Sequence, residues 1–391
     1  MRKTELKIIL LIITGIILFP VITLGEVKIN YTDDGFKIKT DDHWIKIGGT
    51  LMWDIDSASD VFWDAEDNDD AWQTHSELRR ARLNIKSKIA DNWKTQLEID
   101  FAKNSVSNLI RDAYVEYSGW EMMDILVGQH KEPFGLEALT DSEALSLIER
   151  SMVTDAFKPG RNIGISLEAD TDILLGQLGV YQARAREDEG DTYAVTGRLA
   201  VMPWKTDTAF FHLGMSGSGR DYGGEEFEIK ESAEIHTADN IIYSDEIDTD
   251  HLLLYGIETA FGIGPLSFQG EYMVSDVNAV EEDDNATFYG YYLAASWFIT
   301  GETRPFKKGA WKRVKPLSAY GAWELVTRYS SLDAAENEQG TSADTYTIGV
   351  NWHINSNVRL MTDYMHLWLT DESTDTEDTG DAVSFRLQCV F

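Results

Sequence analysis

An all-β fold, a membrane-spanning antiparallel β-barrel of about sixteen strands with a long third loop folded into the lumen, is what this sequence predicts. Three observations lead there. From Trp44 to Phe391 the chain breaks into sixteen segments in which apolar and polar residues alternate with period two. The gaps between those segments are alternately short and long. Beyond the first 25 residues no apolar run approaches the ~20 residues of a spanning helix, and no helical stripe is long enough to cover a sheet.

The ends and the composition set the compartment. Residues 1–25 read as a secretory signal: Arg2, Lys3 and Lys7 are basic, Ile8–Val21 is apolar, and Thr23-Leu24-Gly25 is the small-residue exit. Cleavage is expected after about Gly25, leaving 26–43 as an N-terminal periplasmic segment before a barrel domain of 44–391. Cys389 is the single cysteine, so there is no disulfide framework. Removing residues 1–25 leaves 31 basic against 66 acidic side chains, a net charge of −35, which argues against nucleic acid as a partner. Twelve Trp and 16 Tyr suit the two aromatic girdles of a membrane barrel, whose rings are apolar at one end and wet at the other.

Each segment has two faces. In Trp44–Asp54, Ile45, Ile47, Leu51 and Trp53 share one face, Lys46, Thr50 and Asp54 the other. Glu77–Ile89 sets Leu83, Ile85 and Ile89 against Arg80, Arg82, Asn84, Lys86 and Lys88. After a tight Asp91-Asn92 turn, Trp93–Ala102 sets Trp93, Leu97, Ile99 and Phe101 against Lys94, Gln96, Glu98 and Asp100. The remaining strands are expected at Leu109–Tyr117, Met123–His130, Asn162–Asp170, Leu174–Arg186, Thr192–Met202 and Asp207–Gly217. They continue at Asp250–Phe261, Pro265–Ser275, Thr287–Ile299, Ala319–Ser331, Ala343–His353, Asn357–Leu369 and Ala382–Phe391.

Alternation alone does not distinguish a soluble sandwich from a lipid-facing barrel; the gaps do. Those after even-numbered strands are short (Ala90–Asn92, Thr171–Ile173, Gly262–Gly264, Ile354–Ser356). Those after odd-numbered strands are often long and acidic (Ile55–Ser76, Ser218–Thr249, Asp276–Ala286, Thr370–Asp381). Short turns at one end and long loops at the other are the outer-membrane arrangement, and sixteen strands enclose an aqueous channel. Thr300–Ser318 breaks the rule, being long and basic on the short-turn side. Phe385, Leu387, Cys389 and Phe391 alternate to a terminal Phe, which resembles the closing strand of bacterial outer-membrane proteins.

The interruption at 131–161 is about 30 residues long in an otherwise regular strand–turn pattern. It carries Leu139, Leu145, Leu147 and Ile148, which need something to pack on, so it reads as a loop folded inward to narrow the pore.

Several stretches together resemble the phosphate-selective porin O and P family of Gram-negative outer membranes. They are LRRARLNIKSKIADNWKTQLEIDFA (78–102), IRDAYVEY (110–117), ILVGQHKEPFGLEALT with LIERS and KPGRNIG (125–164), FITGETRPF (298–306) and RVKPLSAYGAWELVTRYSSLD (313–333), in family order. The resemblance implies a sixteen-stranded, homotrimeric diffusion porin whose third loop folds inward and whose arginines and lysines near the constriction draw anions in. The basic 300–318 segment also resembles a family feature.

Parity turns Arg80, Arg82, Arg184 and Arg186 toward the lumen. Arg184 and Arg186 share a face roughly 7 Å apart at the strand rise of ~3.3 Å per residue, and their forked donors match phosphate oxygens. Arg198 is a fifth candidate; Arg111 shares parity with Ala113 and Val115 and so belongs at a strand end. In the loop, Lys131, Arg150, Lys158 and Arg161 stand among Glu132, Glu137, Asp141, Glu143, Glu149 and Asp155. The competing reading is structural: Glu98, Asp100, Asp112 and Glu116 also face inward and can neutralise these arginines, which then serve to hold the loop.

Two functions on one fold remain open. One is a passive pore for small anions such as phosphate, its lumen arginines guiding the ion. The other is a general or cation-tolerant porin, favoured by acidic loops that repel anions. Those loops face lipid and lipopolysaccharide and could bridge divalent cations, but no EF-hand spacing occurs, and no cofactor or metal site is expected. An enzyme is not expected, since the eight histidines are scattered and neither G-x-S-x-G nor H-E-x-x-H is present.

Overall fold

A computed structural model describes residues 27–32, 35–40, 42–63, 72–103, 109–183, 192–206, 208–337 and 339–391. Residues 1–25, read above as a signal, lie outside this set, as do Arg184 and Arg186.

Sixteen antiparallel strands close on themselves. They are β1 (Trp44–Ala58), β2 (Gln73–Ala90), β3 (Trp93–Asp100), β4 (Ile110–Tyr117), β5 (Met123–Lys131), β6 (Arg161–Asp170), β7 (Leu174–Ala183) and β8 (Thr192–Lys205). There follow β9 (Ala209–Phe227), β10 (Ile247–Ile263), β11 (Leu266–Ala279), β12 (Ala286–Phe298), β13 (Ala322–Asp333), β14 (Thr341–His353), β15 (Val358–Asp371) and β16 (Thr376–Val390). Each pairs with its sequence neighbour, and β16 returns to β1 with Val390 opposite Thr50 and Ala382 opposite Ala58.

The barrel is apolar outside and polar inside, the reverse of a soluble sandwich. Along β16, Ser384, Arg386 and Gln388 are buried while Phe385 and Leu387 are exposed; along β8, Thr196 and Arg198 are buried while Val195 and Leu199 are exposed. An exposed belt of Leu, Ile, Val and aromatic side chains around a closed sheet needs lipid as its solvent. Aromatic pairs stand at the short-turn end, Trp93 with Tyr117 (4.8 Å between rings) and Trp323 stacked on Trp352 (5.4 Å).

Every strand expected from the sequence is found, but many run further on the loop side. Strand β9 continues to Phe227 rather than Gly217, and β16 begins at Thr376 rather than Ala382. Above the hydrocarbon both faces are wet, so the alternation that marks a strand disappears while the ladder hydrogen bonds persist. Thr370–Asp381 is accordingly a hairpin with a short tip rather than a long loop. The segment 26–43 also holds two strands, Lys28–Thr32 and Gly35–Lys39, the second pairing with the start of β1.

Three segments fold into the interior. The loop 132–160 carries the short helices α1 (Leu136–Leu139) and α2 (Met152–Phe157). The loop between β9 and β10 lies over it: Phe227, Ile229, Ile235 and Ile242 form one apolar cluster with Phe134, Met152, Val153 and Phe157. From the short-turn end, 300–318 also folds inward, burying Trp311 against Leu136, Phe210 and Ala260. Its length on the short-turn side is explained by that docking.

Closure depends on one glycine. Gly49 exchanges both backbone hydrogen bonds with Phe391 (2.7 and 3.0 Å), and a Cβ there would stand 2.5 Å from both the Arg82 carbonyl oxygen and the Phe391 ring. Gly49→Ala is expected to destabilise the barrel by about 1–3 kcal/mol through overpacking. The check is the temperature at which the folded band is lost in heat-modifiability electrophoresis; an unchanged midpoint would contradict it.

Candidate functional site

Beside these infolded segments, a cavity of about 970 Å³ remains between the loops and strands β1–β6. Its two sides carry opposite charge. The strands contribute eight basic side chains (Lys46, Arg79, Arg80, Arg82, Lys86, Arg111, Lys131, Arg161) against three acidic ones (Glu98, Asp112, Glu168). The loops facing them contribute seven acids (Glu132, Asp141, Glu143, Glu149, Asp155, Glu231, Glu234) against Arg150 and Lys158. Lys103 extends the basic side. An ion crossing here passes through a transverse field, and in a narrow low-dielectric gap such a field is weakly screened.

Six of the residues singled out in the sequence meet at this cavity: Arg80, Arg82, Lys131, Arg150, Lys158 and Arg161. Arg82 donates from Nε to Asp100 Oδ2 (2.8 Å) and from Nη1 to Ser142 Oγ (3.0 Å). Arg161 Nε is 2.7 Å from Asp112 Oδ1. Lys131 Nζ donates to the Ala138 carbonyl (2.9 Å), Arg150 Nη2 to that of Thr140 (2.8 Å), and Lys158 pairs with Asp155. Of the expected inward acids, Asp100, Asp112 and Glu98 thus stand beside these arginines, while Glu116 pairs with Lys94 (2.6 Å).

Arg198 also points inward, but away from the cavity. It is sealed on Glu258, with Nε 3.0 Å from Oε2, and donates from Nη2 to the Gly309 carbonyl (2.7 Å). Parity is satisfied there, but the infolded 300–318 segment covers the guanidinium and makes it a pin between wall and insert.

Two residues that parity missed are brought in by β-bulges. Between β1 and β2 the register shifts so that Met52 pairs with Arg80 and Trp53 with Leu78, leaving Arg79 extra. Arg79 and Arg80 both turn to the inner face. Between β3 and β4, Glu98 pairs with Asp112 and Ile99 with Ile110, and the extra residue is Arg111. It does sit at a strand end, second in β4, but its side chain lines the cavity. The only trace of either bulge in the sequence is the change of phase, Glu77 and Arg80 both being polar three residues apart. Nε of Arg80 and Nε of Arg111 are buried without a hydrogen-bond partner among the described residues.

Glu149 organises the loop side. Its carboxylate takes a two-pronged pair from Arg79 (2.9 and 3.0 Å), lies 2.6 Å from Arg386 Nη2 and 3.6 Å from Arg80 Nη2. Burial pushes this carboxyl up, but Arg79, Arg80 and Arg386 outweigh it and hold it well below the usual carboxylate range.

Toward the short-turn end the basic wall runs past the barrel's edge. In cross-strand rows, Lys28 is opposite Lys39, Lys39 opposite Trp44, Trp44 opposite Lys88 and Lys88 opposite Lys94. One step above, Lys37 is opposite Lys46 and Lys46 opposite Lys86. These seven lysines share the lumen-side face. Like charges placed opposite one another weaken a sheet; here Lys94 is offset by Glu116 (2.6 Å) and Lys37 by the Trp44 ring (4.4 Å).

The sequence model of the phosphate-selective porin O and P family matches residues 45–391. Porin O of Pseudomonas aeruginosa is 28% identical over 424 residues, covering 94% of this chain and 92% of that protein. Among solved structures, OmpT of Vibrio cholerae aligns with a TM-score of 0.56 at 11% identity, over 91% of this chain and 100% of that one. The anion-selective porin from Comamonas acidovorans aligns with a TM-score of 0.54 at 12% identity, over 90% and 100%. At these identities the structures speak to fold alone.

The depressed Glu149 carboxyl sets a pH dependence. Its contribution to loop docking is fully present above the ordinary value of 4.5 and is lost as pH falls through the lower folded-state value. Loop 132–160 is therefore expected to stay protease-resistant at pH 5, whereas Glu149→Gln, which strips Arg80 of its carboxylate and leaves Arg386 to Asp54 and Arg79 to Glu77 at a cost of about 3–5 kcal/mol, is expected to be cut within the loop at pH 7. Equal cleavage of variant and parent would refute the clasp.

Proposed function

This chain belongs to the phosphate-selective porin O and P family, matched over residues 45–391, and from that membership we propose that its cavity is the constriction of a pore for small anions such as phosphate. It is an outer-membrane porin channel of a Gram-negative bacterium, and the family and barrel point to a channel rather than an enzyme. The observation that carries the anion reading is the basic wall: eight cationic side chains to three anionic ones on β1–β6, in a chain whose net charge is −33. Against so acidic a background, concentrating cations on the permeation wall is not a by-product of composition.

Loop 132–160 acts as the constriction, narrowing the passage to the strip beside β2–β6. Arg82, Arg111 and Arg161 offer forked, permanently charged donors to tetrahedral oxyanions. Asp100 on Arg82 and Asp112 on Arg161 keep those contacts weak enough for release, as conduction requires. Below them the lysine face continues the positive path to the periplasm. Arg184 and Arg186, outside the described residues, join this reading by sequence parity alone. Residues 1–25 serve as the export signal, 26–43 as a periplasmic extension, and the porin assembles as a trimer in contact with lipid and lipopolysaccharide.

The second reading, a general or cation-tolerant porin, draws on the seven acids of the facing loops. Reversal potential across a KCl gradient in a planar bilayer separates the two. The parent is expected to prefer anions, with phosphate reducing the chloride current. In Arg82→Gln/Arg111→Gln and in Arg184→Ala/Arg186→Ala the anion-to-cation permeability ratio is expected to fall by about fivefold per charge removed, the equivalent of roughly 1 kcal/mol. A cation preference indifferent to all four substitutions would favour the general porin.

A further inference from the structure

Charge is divided along the channel axis as well as across it. On the loop side, segments 218–249, 276–286 and 370–381 hold 21 acidic residues against two basic ones, Arg220 and Lys230. All three are described: the Glu281–Asp284 tip and the β15–β16 hairpin cap their strands on the loop side, while the β9–β10 loop folds over loop 132–160 with Glu234 buried on Arg328. On the short-turn side the seven-lysine face spans the N-terminal hairpin, β1, β2 and β3. The two ends are separated by the length of strands such as β1, whose 15 residues at ~3.3 Å each and a tilt of about 40° give on the order of 35 Å.

We propose that this division makes the channel an ionic rectifier, passing more current when the loop side is positive than when it is negative. The fixed acids hold a mobile cloud of cations at the mouth, and the fixed lysines hold a cloud of anions at the exit. A voltage positive on the loop side drives cations inward from the mouth and anions outward from the exit, so both clouds move toward the constriction and raise the carrier concentration there. The opposite voltage pulls both away and depletes it. The device needs both poles, since a pore charged with one sign has only one cloud to move. It also needs the poles to be felt across the bore, so it belongs to low salt.

The inference rests on the basic path argued above, and its measurement is separate. Zero-current reversal potential reports selectivity; the shape of the current–voltage curve in identical solutions on both sides reports rectification. The experiment uses single channels of the full-length protein, their orientation assigned by adding a protease that trims the exposed loops to one chamber at the end of each record. In about 0.01 M KCl, where the screening length is about 30 Å, the currents at equal and opposite voltages are expected to differ by about 1.5-fold or more. In 1 M KCl, with screening at about 3 Å, the ratio is expected to return to about one.

Removing either pole is expected to flatten the low-salt curve. One variant is Glu281→Gln/Glu282→Gln/Asp283→Asn/Asp284→Asn combined with Asp375→Asn/Glu377→Gln/Asp378→Asn. The other is Lys37→Gln/Lys39→Gln/Lys88→Gln. Symmetric currents from the parent in low salt would overturn the proposal, as would a rectification of the opposite sense, or one that persists in 1 M KCl or in both variants. An anion preference without rectification would leave the porin reading intact and remove only this one.

Discussion

An irregular loop buried inside a barrel must find partners for its backbone groups, and this requirement orders the rest of the molecule. Water that would solvate the carbonyls of 143–150 is excluded, and no helix or sheet ladder satisfies them. The wall does so instead. Arg304 donates to the Ala144 carbonyl (2.8 Å), Arg359 to Leu145 (2.6 Å), Asn351 to Ser146 (2.6 Å), Arg386 to Ile148 and Arg328 to Glu149 (3.1 Å). Carboxylates serve the amides in the same way, Glu271 for Leu136 and Glu137 (2.7 Å each) and Asp363 for Ile148 (2.7 Å). The loop is held by charge-assisted bonds that only a polar-lined interior offers.

That docking divides the lumen's arginines by function. Those of β13, β15 and β16 are consumed in fixing the loop, as Arg198 is in fixing the 300–318 insert. Those of β2, β4 and β6 face the space that the loop leaves. Because the loop brings its own acids to the far side, the remaining cavity has a basic wall and an acidic one. The structural reading describes the arginines that pin the loop, and the anion-guiding reading proposed above concerns those that line the cavity. Glu149 belongs to both groups, clasping Arg386 on the pinned side and Arg79 and Arg80 on the open one.

Much of this was legible in residues taken in order. Period-two alternation located all sixteen strands because each face meets a different solvent, and the terminal Phe391 marked the strand that closes the ring. Strand ends were less legible wherever both faces are wet, as in Phe227 and Thr376. The site was legible only in part. Arg80 and Arg82 followed from parity and Arg161 from its place at the end of the 131–161 loop, while Arg79 and Arg111 did not follow, since one bulged residue reverses phase without leaving a signature of its own. The lysines of Gly35–Lys39 escaped notice for another reason: their meaning lies in alignment with Lys46 and Lys86, which are distant in sequence.

The sequence by itself determined the compartment, the lipid-facing architecture, the strand count, the presence of an infolding third loop and the membership of a porin family. All of these depend on local periodicity, loop length or contiguous motifs, which a chain carries whether folded or not. Tertiary structure alone decided which inward arginines line the cavity and which are sealed against the infolded segments. It also decided that an acidic loop can leave a basic wall, and that scattered lysines form one surface. Those outcomes depend on cross-barrel neighbours, such as Arg386 and Glu149, separated by more than two hundred residues, and no local pattern encodes which distant carbonyl or carboxylate a given guanidinium will find.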